Sequence, residues 1–142
     1  MNIRLLQVVL TLWAGSLWTI CLIVAPSLFA LLADRHVAGE LAGHFFRVES
    51  WLGLTLGGGT LALLSRSDES VRNTPNFALT IVTVAGPVSS EVVLRLFMET
   101  AQAAKDTRMF GMLHGAAAFL FIFACLTALL LVWRVGATRP AK

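Results

Sequence analysis

The sequence predicts an all-α protein: an integral-membrane four-helix bundle, up-down-up-down, with both termini cytoplasmic. Three observations lead there. Hydrophobic residues make up 57% of the chain and charged residues 13%, with a mean hydropathy of +0.79; soluble domains average about 45–50% apolar and about 25% charged. Four stretches reach the roughly 20 mostly apolar residues needed to cross hydrocarbon. The segments between them are short, which makes consecutive helices antiparallel neighbours. Residues 1–142 then form a single transmembrane domain.

The first span is expected over about residues 5–33. Arg4 precedes this apolar run, as in a secretion signal, but a signal core is about 7–15 residues and this run is far longer. It reads as an uncleaved helix. The second span covers about residues 37–64, after a tight turn at Asp34-Arg35-His36. The longest connection, Ser65 to Asn76, leads to a third span over about residues 77–98, and Pro75 suits a helix start. Lys105 to Arg108 joins it to a fourth span over about residues 109–133, with Asp106 or Thr107 as its N-cap.

Four spans put both termini and the Ser65–Asn76 connection on one side. Arg4, Arg66, Arg72, Arg134, Arg139 and Lys142 gather there, against Arg35, Lys105 and Arg108 opposite. Lys and Arg accumulate on the cytoplasmic face, so a multi-pass membrane protein with both termini in the cytoplasm is expected. The net charge of +3 is modest, and basic residues do not interleave with aromatics. No nucleic-acid partner is expected; the surroundings are membrane lipid, another membrane protein or further copies of the chain.

Gly39-x-x-x-Gly43, Gly53-x-x-x-Gly57 and Gly111-x-x-x-Gly115 repeat small residues four apart. Such pairs let helix backbones approach closely in lipid, where packing drives association. Pro26 and Pro87 should each kink a span and free a carbonyl. Cys21 and Cys125 fall in the first and fourth spans. They are expected at different depths, as apolar packing residues without a disulfide.

Charge inside a span is costly and usually has a role. Glu40, His44, Arg47 and Trp51 share a helical face of the second span; Glu91, Arg95, Glu99 and Gln102 share one of the third. Glu91 and Arg95 form an i,i+4 pair in the favourable order. With His114 they fall in the half of the bilayer away from the termini, and the other half is expected to be almost purely apolar. Two readings follow. The groups line an outward-facing polar pocket, or they satisfy one another as an ion-pair brace, with Arg47 and Glu49 reaching the boundary.

His44 and His114 are also the candidates for holding haem or a metal, since neutral imidazole is the commonest metal ligand. No third ligand sits at a recognisable spacing, so no cofactor is predicted. Nucleophile elbow, phosphate loop, HExxH and dinucleotide fingerprint are missing from the sequence.

The segments Trp13-Ala-Gly-Ser-Leu-Trp18, Val24-Ala-Pro-Ser-Leu-Phe29, Ala38-Gly-Glu-Leu-Ala-Gly43 with Phe46, and Arg108-Met-Phe-Gly-Met-Leu-His114-Gly115 resemble the transmembrane-protein-205-like family. These are small four-helix bacterial membrane proteins of unknown function. The resemblance implies the same architecture, and Pro26, Gly39, Gly43, His114 and Gly115 match the family pattern. It brings no established reaction.

The expected function is therefore non-enzymatic: a membrane protein whose outward polar pocket, at Glu91, Arg95, His114, His44 and Arg47, takes a small polar or lipid-like ligand or a partner's transmembrane helix. The alternatives are a haem- or metal-binding redox protein using His114, with or without His44, and a purely structural or assembly subunit.

Overall fold

The computed structural model describes residues 3–69 and 71–137 and forms four helices with no strand among them. We label them α1 (Ile3–Leu31), α2 (Arg35–Ser65), α3 (Thr74–Ala103) and α4 (Thr107–Ala137). By length and composition α1, α3 and α4 can each cross a membrane. Helix α2 has 31 residues, about 46 Å at 1.5 Å per residue, so length is not its limit. Glu40, Arg47 and Glu49 and its glycines dilute its apolar content, which sets it apart from the other three. Arg139 and Lys142, used above in the charge count, lie outside the described residues.

Each helix start has a chemical reason. Asp34 caps α2, its carboxylate accepting from the amides of His36 at 2.8 Å and Val37 at 3.4 Å. Asn73 accepts from the Asn76 amide at 3.0 Å, with Pro75 in the first turn of α3. Asp106, rather than Thr107, caps α4, accepting from the Met109 amide at 2.9 Å. Between α3 and α4 the chain reverses at Lys105, whose φ of 55° is the left-handed conformation that ends many helices. The Asp106 amide donates to the Ala101 carbonyl and the Lys105 amide to that of Gln102, a Schellman arrangement.

The prolines act differently from a simple kink. Near each one the helix widens into a π-turn, over Ile20–Val24 before Pro26 and over Ser90–Leu94 after Pro87. The Ala25 amide donates to the Ile20 carbonyl and the Arg95 amide to that of Ser90, five residues back in each case. The widened turn keeps backbone groups bonded around a residue that has no N–H.

The helices close into a ring: α1 packs on α2, α2 on α3, α3 on α4, and α4 on α1. The core sits in the half nearest the termini, where Leu6, Leu10, Trp13, Leu17, Leu64, Leu131 and Val135 are buried. Trp13 lies over Gly53 and Gly57, within 3.2 Å of the position of an added Cβ at each. Gly86 brings α3 against the backbone of α4, an added Cβ reaching the Leu120 carbonyl at 3.0 Å. Gly39 would touch Phe29 at 4.0 Å, and the corresponding space at Gly43, Gly111 and Gly115 is open.

Two expectations are corrected. The half nearest the termini is not almost purely apolar: Thr60, Asn76, Thr80, Thr83 and Thr127 are buried there. Thr83 donates to the Thr127 hydroxyl at 2.8 Å, and Arg134 Nε donates to Asn76 Oδ1 at 3.0 Å. Nor do the cysteines sit at different depths. The Cys21 and Cys125 side chains lie beside each other, and neither is in a disulfide. Helices α1 and α4 run antiparallel, so their middle turns meet; the Trp18 indole N–H, one turn from Cys21, donates to the Cys125 carbonyl at 3.2 Å.

Candidate functional site

The half away from the termini is built differently. Phe46 of α2 and Phe121 of α4 meet edge-to-face across the bundle axis, ring centroids 4.6 Å apart. Beyond them the bundle divides. The Ala25–Leu31 segment of α1 packs on α2, and the Arg95–Ala103 segment of α3 packs on α4. Among the described residues, neither segment approaches the backbone of the opposite pair to a comparable extent. Among the described residues only alanines are buried at this end: Ala38 and Ala42 on α2, Ala101 on α3.

At the level where the pairs part, four charged side chains form a chain. Arg47 Nε donates to Glu91 Oε1 at 2.7 Å, and Arg95 Nη1 donates to the same oxygen at 2.5 Å. Arg95 Nε donates in turn to Glu99 Oε1 at 2.9 Å. The π-turn places Glu91 on the side of α3 that faces α2, and the Ser50 hydroxyl donates to the Pro87 carbonyl at 3.2 Å just beneath. Charges alternate along the chain, and its links are charge-assisted hydrogen bonds, the stronger class. Glu91 is the least exposed member, at 18% of its side chain, against 39% for Arg47 and 34% for Arg95.

The cleft beside Glu91 is lined by Ser50, Trp51, Val88, Glu91 and Val92 and holds only about 10 Å³. That is room for about one water, not for an enclosed small molecule.

Among the residues singled out from sequence, Arg47, Glu91 and Arg95 are brought together. The two histidines are not joined to them by a hydrogen bond or ion pair. His114 is exposed on α4 and stacks on Phe110, the rings 10° from parallel. His44 is exposed on α2 with its ring edge-on to Phe45. No three His, Cys, Asp or Glu side chains converge as metal ligands among the described residues. Glu40 pairs with His36 at 3.5 Å near the start of α2, both well exposed.

Glu49 is the residue that sequence reasoning misplaced. Expected at the boundary, it is 1% exposed and accepts from the Ser16 hydroxyl of α1 at 2.9 Å. The signal was present: Glu49, Gly53 and Gly57 follow one another at i,i+4, so the carboxyl must share the face that meets Trp13.

Residues 8–109, over two thirds of the chain, match a family described only as a domain of unknown function, DUF4149. The chain belongs to the DUF4149 family. The matched region takes in α1, α2 and α3, with the charged chain Arg47–Glu91–Arg95–Glu99, and ends at the start of α4. This DUF4149 member has three helices long and apolar enough to cross a membrane among its described residues. No curated protein and no solved structure matches the chain significantly.

Proposed function

We propose that this DUF4149 protein is a non-enzymatic, four-span protein of the bacterial inner membrane, of the transmembrane-protein-205-like type, whose outward half receives a transmembrane helix of a partner protein. Helix α2 crosses as the fourth span because it packs along both α1 and α3. Both termini face the cytoplasm, with Arg4, Arg66, Arg72 and Arg134 at that end and Arg35, Lys105 and Arg108 at the other.

One observation carries the reading: outward of Phe46 and Phe121 the two helix pairs share no core. At that end Gly43, Gly111 and Gly115 leave backbone uncovered, and Phe110 and Met112 are exposed. In lipid, close approach at small residues is what associates helices. The small cleft beside Glu91 argues for a partner helix over an enclosed small ligand. In this reading the charged chain is the brace that holds α2 to α3 below the opening.

The test is a photoreactive residue at Gly111, compared with one at Leu12 on the other half, activated in native membranes. Protein adducts at position 111 and lipid adducts at position 12 are expected. Lipid adducts alone at both positions overturn the reading.

A further inference from the structure

The arginines of the charged chain are only partly spent. A guanidinium offers five N–H donors. Arg47 uses its Nε on Glu91, and neither of its two terminal nitrogens donates to another of the described residues. Arg95 uses Nε and Nη1 and retains Nη2. These side chains are 39% and 34% exposed on the flank of the α2–α3 groove. In the membrane placement proposed above, Glu91 lies about 18 Å along the axis from the outer end of α3. Donors left open toward hydrocarbon are costly. Two guanidiniums and two carboxylates leave the Arg47–Glu91–Arg95–Glu99 chain formally neutral, so what it offers an anion is its open guanidinium N–H donors, with Glu99, 58% exposed, engaging Arg95 from its outer side.

The surroundings give the missing partner a shape. Helix α2 runs inward from Arg35 and α3 runs outward to Ala103, so Trp51 and Val88 lie on the deeper side of Arg47 and Glu91. Trp51 is 57% exposed and Val92 52%. Ser50 and Val88 line the cleft between them. An anion is matched at the outer end of the groove and an apolar chain below it. A guanidinium fork fits phosphate oxygens in a bidentate manner. The molecule with that order of chemistry is a phospholipid.

We propose that Arg47 and Arg95 hold the phosphate of one phospholipid from the leaflet opposite the termini, with an acyl chain lying along Trp51 and Val88. The inference rests on the membrane placement given under the proposed function, and not on a partner helix.

The experiment is native mass spectrometry of the full chain in non-ionic detergent, with phosphatidylglycerol added, and with diacylglycerol as the same apolar body lacking phosphate. One retained phosphatidylglycerol and no retained diacylglycerol are expected. Arg47→Lys and Arg95→Lys keep the charge and the bridge to Glu91 but lose the fork. Each should lower retention about tenfold, the scale of one hydrogen bond to a charged group. Excess inorganic phosphate should not displace the lipid. Equal retention in wild type and both lysine variants overturns the proposal, as does equal retention of diacylglycerol. Displacement by inorganic phosphate overturns the lipid assignment in favour of a free oxyanion. Melting curves accompany each variant. Should a lysine variant fail to fold, the double variant Arg47→Gln with Glu91→Gln, an uncharged bridge, replaces it and should likewise lose the lipid. A missing protein adduct at position 111 would leave these retentions unchanged, so the two proposals fail separately.

Discussion

The indole of Trp13 occupies the space that a side chain at Gly57 would need. An added Cβ there comes within 3.2 Å of the ring and also overlaps the Val84 side chain. Small residues in α2 are thus a steric condition for seating α1. Gly57→Ala should destabilise the bundle by about 1–3 kcal/mol, the usual cost of overpacking. Gly43→Ala meets open space and should change stability by less than about 0.5 kcal/mol. Denaturant titration in micelles, followed by Trp fluorescence, measures both. Equal effects would mean that Trp13 does not seat on α2 in this way.

The charged chain makes a second prediction. Glu91→Ala leaves Arg47 and Arg95 facing each other without their shared acceptor. Breaking a fully buried pair costs about 3–5 kcal/mol; these side chains are partly exposed, so about 1–3 kcal/mol is expected. Combining Glu91→Gln with Arg47→Gln should cost less than the sum of the single changes, because the two residues are coupled. A double-mutant cycle by the same titration reads the coupling, and strict additivity would remove the brace.

Thr83 and Thr127 give a third. Their hydroxyls meet at 2.8 Å between α3 and α4. Thr83→Val should cost about 0.6–2 kcal/mol, the range for hydrogen bonds between membrane helices. Thr127→Val in the Thr83→Val background should cost little more, since the bond is already gone. A second loss as large as the first would show that Thr127 acts through its own helix carbonyls instead.

The reversal at Lys105 gives a fourth. A left-handed residue other than glycine costs roughly 1–2 kcal/mol, and glycine gives back part of that gain through its freedom in the unfolded chain. Lys105→Gly should therefore raise stability by up to about 1 kcal/mol, and Lys105→Val should lower it by about as much. Thermal melting of the two variants side by side tests the sign.

Much of the architecture was legible because apolar length and capping chemistry are local. The four helices, the helix start at Pro75, the cap in the Asp106–Thr107 pair and the nearness of Glu91 to Arg95 all follow from neighbours in the chain. The partnership of Arg47 with Glu91 was harder, since it needs the relative rotation of two helices. His114 shows why rotation is hard to read here. Helix α4 is apolar almost all round, so no stripe distinguishes the face toward α1 and α3 from the face toward lipid. Glu49 and the two cysteines were misjudged for a related reason. Their depth and facing depend on how antiparallel helices are set against each other, which hydropathy does not encode.

The paired π-turns have a mechanical consequence. A π-turn holds one residue more than the α-turn it replaces, and one residue is about 100° of rotation. Upstream of Ile20–Val24, Trp13 and Leu17 are clamped in the core; downstream, Phe29 lies beside Gly39 of α2. Threaded on an unbroken α-helix, the residues after Ile20–Val24 would be turned by about that angle relative to those before it; the π-turn absorbs the extra residue, so that Phe29 meets α2 while Trp13 stays in the core. The same holds for Arg95 relative to Thr83 across Ser90–Leu94. Each of these two helices is thus a geared shaft: its inner half is fixed to the bundle, and the bearing of its outer half is set by a single coil of backbone.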